Sequence, residues 1–197
     1  MKADQRKEQI LDAALKAFAE HGYERTSIAV ICDKAGIARP TLYQYFKNKR
    51  ALFRELMESY LLGIHERLHT RQQAKDDRKA LSQRETMLSL HLELLAEFSN
   101  NRDFFIIFFK EAKARNAETE DIVKGLMQGL KQEFVSEMRL YPSSEKMSEE
   151  DIEFTVMYMI GGVMQAVEYY LFDNKKALSL QELAEKITFI EAKIKGV

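Results

Sequence analysis

The chain has 197 residues, 46% hydrophobic and 31% charged, with only two prolines and eight glycines. That composition supplies a packed core, argues against disorder and, with so few helix breakers, argues for an all-α protein. The formal net charge is −1 and Cys32 is the single cysteine, which excludes an internal disulfide and a multi-cysteine zinc site.

The pattern predicts about nine helices. The first covers about 4–21, with Ile10, Ala14, Ala17 and Phe18 on one face. Gly22 stops it. Ser27 caps a second helix at 28–35, and Gly36 ends that one after two turns. A third short helix, 39–46, follows almost at once. Asn48 caps a long helix, 48–74, whose face carries Leu52, Leu56, Tyr60 and Ile64. Five more helices are expected near 80–99, 102–114, 118–139, 149–173 and 179–195. Ser148 and Asp151 have the spacing of a capping box.

The start, MKADQRKEQI, is charged and lacks the apolar stretch of a signal peptide. The most apolar run, 156–172, is interrupted by Gln165 and Glu168 and falls short of the ~20 residues that a membrane span needs. A cytoplasmic protein with no membrane partner is the expectation.

Residues 1–54 hold eleven Lys and Arg against six Asp and Glu, a balance of +5. The remainder holds 19 against 25, a balance of −6. A basic head on an acidic body fits an anionic partner for the head, although solvated charge is ordinary on helices.

The informative stretch is TSIAVICDKAGIARPTLYQYFKNKRALF, residues 26–53. Two short helices meet at a glycine turn, locked by Ile28, Ile31, Ala35, Ile37, Leu42 and Phe46. This is the helix-turn-helix plan, in which the second helix enters the major groove. Leu42 and Phe46, four apart, face inward. Arg39, Thr41, Gln44 and Tyr45 are left on other faces, where they can donate to phosphates or base edges. Pro40 lies in the first helical turn, where its missing N–H does no harm.

The segment AGIARPTLYQYFKNKRALF resembles the tetracycline-repressor (TetR) family, whose pattern runs roughly A-G-V-S-x-G-T-L-Y-x-Y-F-x-x-K-x-x-L. Ala35, Gly36, Thr41, Leu42, Tyr43, Tyr45, Phe46, Lys49 and Leu52 agree with it. The likeness covers about the first 60 residues; beyond them only the helical organisation is similar, including EAKARN at 111–116. Three positions depart. Ala38 stands where the family has Ser, a cap for the recognition helix. Pro40 stands where Gly or Ala is common, and Ala29 where many members carry a polar residue that reaches DNA.

The resemblance implies a head at 1–47, continuing into the long helix, and a ligand-sensing and dimerising body at 48–197. It implies a repressor that binds a palindromic double-stranded operator as a homodimer and is released by a small, mostly apolar effector, with no cofactor and no enzymatic activity. Thr26, Ser27, Tyr43, Tyr45 and Lys49 would hold phosphates. Arg39, Pro40, Thr41 and Gln44 would face base edges, Arg39 suiting guanine and Gln44 adenine. Packing within a small domain is the plain alternative for the tyrosines, and mere exposure for Arg39.

In the body, 104–109 read FFIIFF, a segment apolar all round and therefore buried. Phe105, Phe108 and Phe109, with Met57, Tyr60, Leu88, Leu92, Leu95, Met127, Leu130 and Phe134, are candidates for an effector cavity; a filled core is the alternative. The next-to-last helix carries Phe154, Met157, Tyr158, Gly161, Gly162, Gln165, Tyr169 and Tyr170. Two adjacent glycines inside a helix cost about 1 kcal/mol each relative to Ala. A close helix–helix approach explains them, either between subunits, as the family pairs these helices, or within one.

One rival motif is present. His65-Glu66-Arg67-Leu68-His69 fits H-E-x-x-H, the zinc-protease pattern. Zinc needs a third protein ligand, and His91 is the only obvious histidine for it. No metal is expected, and His65 and His69 read as ordinary surface or pocket-edge histidines. No glycine-rich nucleotide motif or nucleophile elbow appears. Cys32, among apolar residues, reads as a buried structural thiol. A helical adaptor that binds only protein remains a third class, but it has no use for the polar set around Arg39 on a basic head.

Overall fold

A computed structural model describes residues 3–73, 82–114, 116–139, 141–173 and 178–196. Among them are nine α-helices and no strand, so the all-α expectation holds. The helices are α1 (Ala3–His21), α2 (Ile28–Ala35), α3 (Arg39–Tyr43), α4 (Lys49–Gln73), α5 (Gln83–Asn100), α6 (Arg102–Ala114), α7 (Glu120–Met138), α8 (Glu149–Val167) and α9 (Leu180–Lys195).

Local chemistry sets the ends. After α1, Gly22 has φ +80°, and after α2, Gly36 has φ +63°. Side chains rarely adopt either value, so glycine is the residue that lets the chain leave the helix there. The Ser27 hydroxyl accepts the Val30 N–H at 3.3 Å, and the Asn48 amide oxygen accepts the Ala51 N–H at 2.8 Å. Ser148 and Asp151 close the anticipated capping box, and Ser82–Glu85 and Ser179–Glu182 form two more.

Two elements end differently from the sequence pattern. α3 closes at Tyr43 rather than near 46. Gln44 to Phe46 still turn back on Pro40, Thr41 and Leu42 through their N–H groups, but the turn no longer has regular helical geometry. The helix that the pattern carried to 173 stays α-helical only to Val167. Glu168–Phe172 widens into a π turn, in which the Asp173 N–H reaches the Glu168 carbonyl at 2.9 Å.

The described chain forms two compact units, Met1–Ile64 with Arg102–Gly125 and His65–Asn101 with Leu126–Val197. In the first, α1 packs on α2 and α6. Phe18, Tyr23 and Phe53 form an aromatic knot with ring centroids 5.0–5.6 Å apart. In the second, α5 packs on α9. Its interface buries Met87, Leu95, Leu183 and Ile187 around a polar seam. There His91 Nδ1 lies 2.7 Å from Thr188 Oγ1 and its Nε2 3.1 Å from Glu191 Oε2. Lys195, also buried, reaches Glu137 at 3.1 Å and lies over the Tyr141 ring. Buried polar groups are tolerated when partnered in this way. No helix of the described residues is long and apolar enough to cross a membrane.

Candidate nucleic-acid interface

The head is built by placing α3 against a fixed floor. Leu42 and Phe46 are fully buried with Ile31, Cys32 and Ala35 of α2. This is the inward face that their spacing predicted, and burial pushes the Cys32 thiol above its usual range. The turn between the two helices is held by Gly36 and Ile37, whose N–H groups donate to Asp33 and Cys32. Gln9 of α1 adds a contact with no sequence signal: its Nε2 donates to the Ala35 carbonyl at 2.7 Å. Arg6 in turn holds Gln9 Oε1 at 2.8 Å.

With Leu42 and Phe46 turned in, the rest of α3 is turned out. Arg39, Pro40, Tyr43 and Gln44 are exposed, and Thr41 and Tyr45 are partly so. No side chain caps the N-terminus of α3, as expected with Ala at position 38. Ser27, exposed at the start of α2, accepts the Val30 N–H and keeps its own hydroxyl proton for another acceptor. Exposed Lys47, which the sequence reading passed over, adds a cation beside this surface.

Two candidates are placed otherwise. Thr26 is buried, and its hydroxyl lies 2.7 Å from the Gly22 carbonyl and 3.1 Å from that of Ala17. Its N–H is also taken, by the Tyr23 carbonyl. Thr26 therefore closes the turn after α1 and has no group left for a phosphate. Lys49 is half-buried. Its ammonium donates to the carbonyls of Tyr23 at 3.0 Å and Glu24 at 3.4 Å, and lies 4.2 Å from the centre of the Tyr23 ring. It is a held cation rather than a free arm.

These residues lie within a recognised segment. Residues 10–56 match the sequence pattern of the bacterial regulatory proteins of the tetR family. The "Fatty acid metabolism regulator protein" of Bacillus subtilis is 31% identical over 125 residues, covering 61% of this chain and 60% of that protein. Residues 10–56 are similar to the tetR family of bacterial regulatory proteins. The "HTH-type transcriptional repressor ComR" of Escherichia coli is 47% identical over 51 residues, 26% of this chain and 24% of ComR. The chain thus spans less than two thirds of these curated relatives. The fold extends further. The FadR regulator of Bacillus subtilis, solved in complex with stearoyl-CoA, superposes with a TM-score of 0.71 at 21% identity, over 96% of this chain and 98% of that one.

The effector candidates fall in both units. In the first, Met57, Phe105, Phe108 and Phe109 are buried, and Tyr60 stacks on Phe104 at 5.2 Å. The Phe104, Phe105, Phe108 and Phe109 rings lie along α6 with neighbouring centroids 5.0–6.1 Å apart. In the second, Leu95 is buried and Leu88, Leu92, Met127, Leu130 and Phe134 are partly exposed. Phe134 borders a small apolar gap with Met138, Val156, Met159 and Lys195.

The dimer candidates behave differently. Phe154 and Tyr158 are 72% and 67% exposed, and Met157, Tyr169, Gly161, Gly162 and Gln165 are exposed too. On α9, Phe189 and Ile190 are also exposed. A side chain added at Gly161 or Gly162 would meet nothing within 4 Å. The alternative of a tight contact within one subunit therefore lapses for the described residues.

His65 Nδ1 lies 3.3 Å from Glu133 Oε1, whereas the His69 side chain lies outside the described residues. Among the described residues no group of three or more His, Cys, Asp or Glu is placed to hold a metal.

Proposed function

We propose that this chain is a cytoplasmic, sequence-specific DNA-binding regulator without catalytic activity, working as a homodimer. It represses from a palindromic operator and is released by a small, mostly apolar effector. One observation carries the reading: α3 presents Arg39, Pro40 and Gln44 to solvent while Leu42 and Phe46 hold it from beneath. A helix fixed in that way can enter a major groove without distortion of the head.

Dimerisation is supported by the apolar surface of α8. A chain that leaves Phe154, Met157 and Tyr158 in water beside two unobstructed glycines has a surface suited to a second helix. Two heads then read half-sites about one helical turn apart, or a multiple of that. The effector class is supported by the apolar character of α6 and by the stearoyl-CoA bound in the Bacillus subtilis FadR structure. Release requires that the effector bind more tightly to the state whose heads no longer fit the operator.

The experiment is selection of bound duplexes from a random pool, repeated at two salt concentrations. A palindromic site, with affinity falling as salt rises, is the expected result. Failure to enrich any site, with no attraction to duplex DNA at low ionic strength, would end this reading. Within the selected site, Arg39→Ala is expected to relax preference at one base pair by about 1–3 kcal/mol, whereas Tyr45→Ala weakens binding to all sequences alike. An unchanged preference profile for Arg39→Ala would remove it from base reading.

A further inference from the structure

The geometry points to Glu118 as a positioning residue for DNA binding: through Tyr23 it holds Lys49, the cation at the start of α4, where a phosphate can reach it. This rests on the DNA-binding reading above.

Glu118 precedes α7 and lies far from the head in sequence, but residues 102–125 belong to the same compact unit as the head. The Tyr23 hydroxyl donates to Glu118 Oε2 at 2.6 Å, across 95 positions. Burial of Tyr23, with the Glu118 bond adding to it, pushes its phenol well above the ordinary range, so it stays a neutral donor. The other face of this arrangement is Lys49, whose ammonium lies over the Tyr23 ring and donates to the Tyr23 carbonyl. A phenol donating to a carboxylate has a more electron-rich ring, which strengthens its hold on a cation over its face.

Glu118 is itself well anchored. Its carbonyl accepts Arg50 Nε at 2.9 Å and its N–H donates to Asn116 Oδ1 at 2.9 Å. Three residues on, Asp121 accepts Arg50 at 2.5 Å and Arg54 at 3.0 Å. The turn before α7 and the first turn of α7 are therefore each clamped to α4, with the carboxylate of Glu118 aimed at Tyr23. Lys49 has two carbonyls and a ring beneath it, and its third proton is left for an acceptor outside the protein. A cation fixed in advance loses less entropy on meeting a phosphate than a free lysine does.

The test compares wild type, Glu118→Gln, Tyr23→Phe and Lys49→Met, each as full-length chain, on a mixed-sequence duplex over a range of salt concentrations. Lys49→Met is expected to reduce the slope of log affinity against log salt by about 0.9, the share of one phosphate contact. Glu118→Gln and Tyr23→Phe are expected to weaken binding roughly two- to tenfold and to shift the slope in the same direction. Their effect should vanish in the Lys49→Met background and persist in Tyr45→Ala. A merely structural role would instead leave the slope unchanged and add to Lys49→Met.

A second measurement needs no DNA. In protein carrying isotope-labelled lysine, the Tyr23 ring 4.2 Å from the ammonium is expected to displace the Lys49 side-chain resonance, and Glu118→Gln should move it toward the position of a free lysine. Absence of wild-type binding to any duplex would end the DNA-binding reading itself. Intact binding, with the slope and the Lys49 resonance of Glu118→Gln both equal to wild type, overturns the positioning role alone.

Discussion

Tyr158→Glu is expected to yield a folded monomer whose affinity for a palindromic operator is about 10²–10⁴-fold below that of wild type, the gain that linking two binding heads supplies. The physical case begins with exposure. Tyr158 is 67% exposed in the single chain, and Phe154, one turn earlier, is 72% exposed. A charge at 158 therefore disturbs no internal packing, and the stability of the isolated chain should move by no more than about 0.5 kcal/mol. Between two subunits the same carboxylate would be buried against apolar neighbours without a partner, which an interface does not tolerate. Light scattering or sedimentation reports the oligomeric state, and a titration on the selected operator reports the affinity. If Tyr158→Glu remains dimeric with undiminished affinity, the exposed face of α8 is not the subunit contact.

Phe46→Ala is expected to lose about 3–5 kcal/mol of stability, the range for truncating a fully buried phenylalanine. Phe46 is 2% exposed and lies three residues beyond α3, and with Leu42 it forms the floor on which that helix rests. Removing the ring leaves a cavity under the recognition helix, and Arg39, Thr41 and Gln44 lose their fixed spacing. DNA binding should therefore fail for lack of a rigid reading surface, although no DNA contact is deleted. Arg39→Ala supplies the contrast: it should leave urea unfolding nearly unchanged and alter only the base preference. A Phe46→Ala protein that unfolds within about 1 kcal/mol of wild type would show that α3 is held by something else, since that is far below the cost of an unfilled buried ring.

The elements legible from the sequence were those set by neighbours a few positions away. Gly22 and Gly36 end their helices because their left-handed geometry suits glycine, and Ser27, Asn48 and Ser148 cap theirs because a short polar side chain reaches a backbone N–H three residues on. The four-residue spacing of Leu42 and Phe46 likewise marks a buried face and, by difference, the exposed one. Each of these depends on a span shorter than two helical turns, so the one-dimensional order of residues contains the whole cause.

Residue order alone set the helix inventory and the helix-turn-helix with its inward and outward faces, whereas the exposure of Phe154 and Tyr158 came from the packed chain. The tertiary structure alone decided which polar groups are already occupied. Thr26 turns inward to two carbonyls, Lys49 rests on Tyr23, and Tyr23 reaches Glu118 across 95 positions while Arg50 meets Asp121 across 71. It also placed 102–125 in one compact unit with the head. The reason is that a side chain's partner across such distances depends on which helix faces come together. That choice is made by the packing of the whole unit, and no local pattern around Tyr23 or Glu118 encodes it.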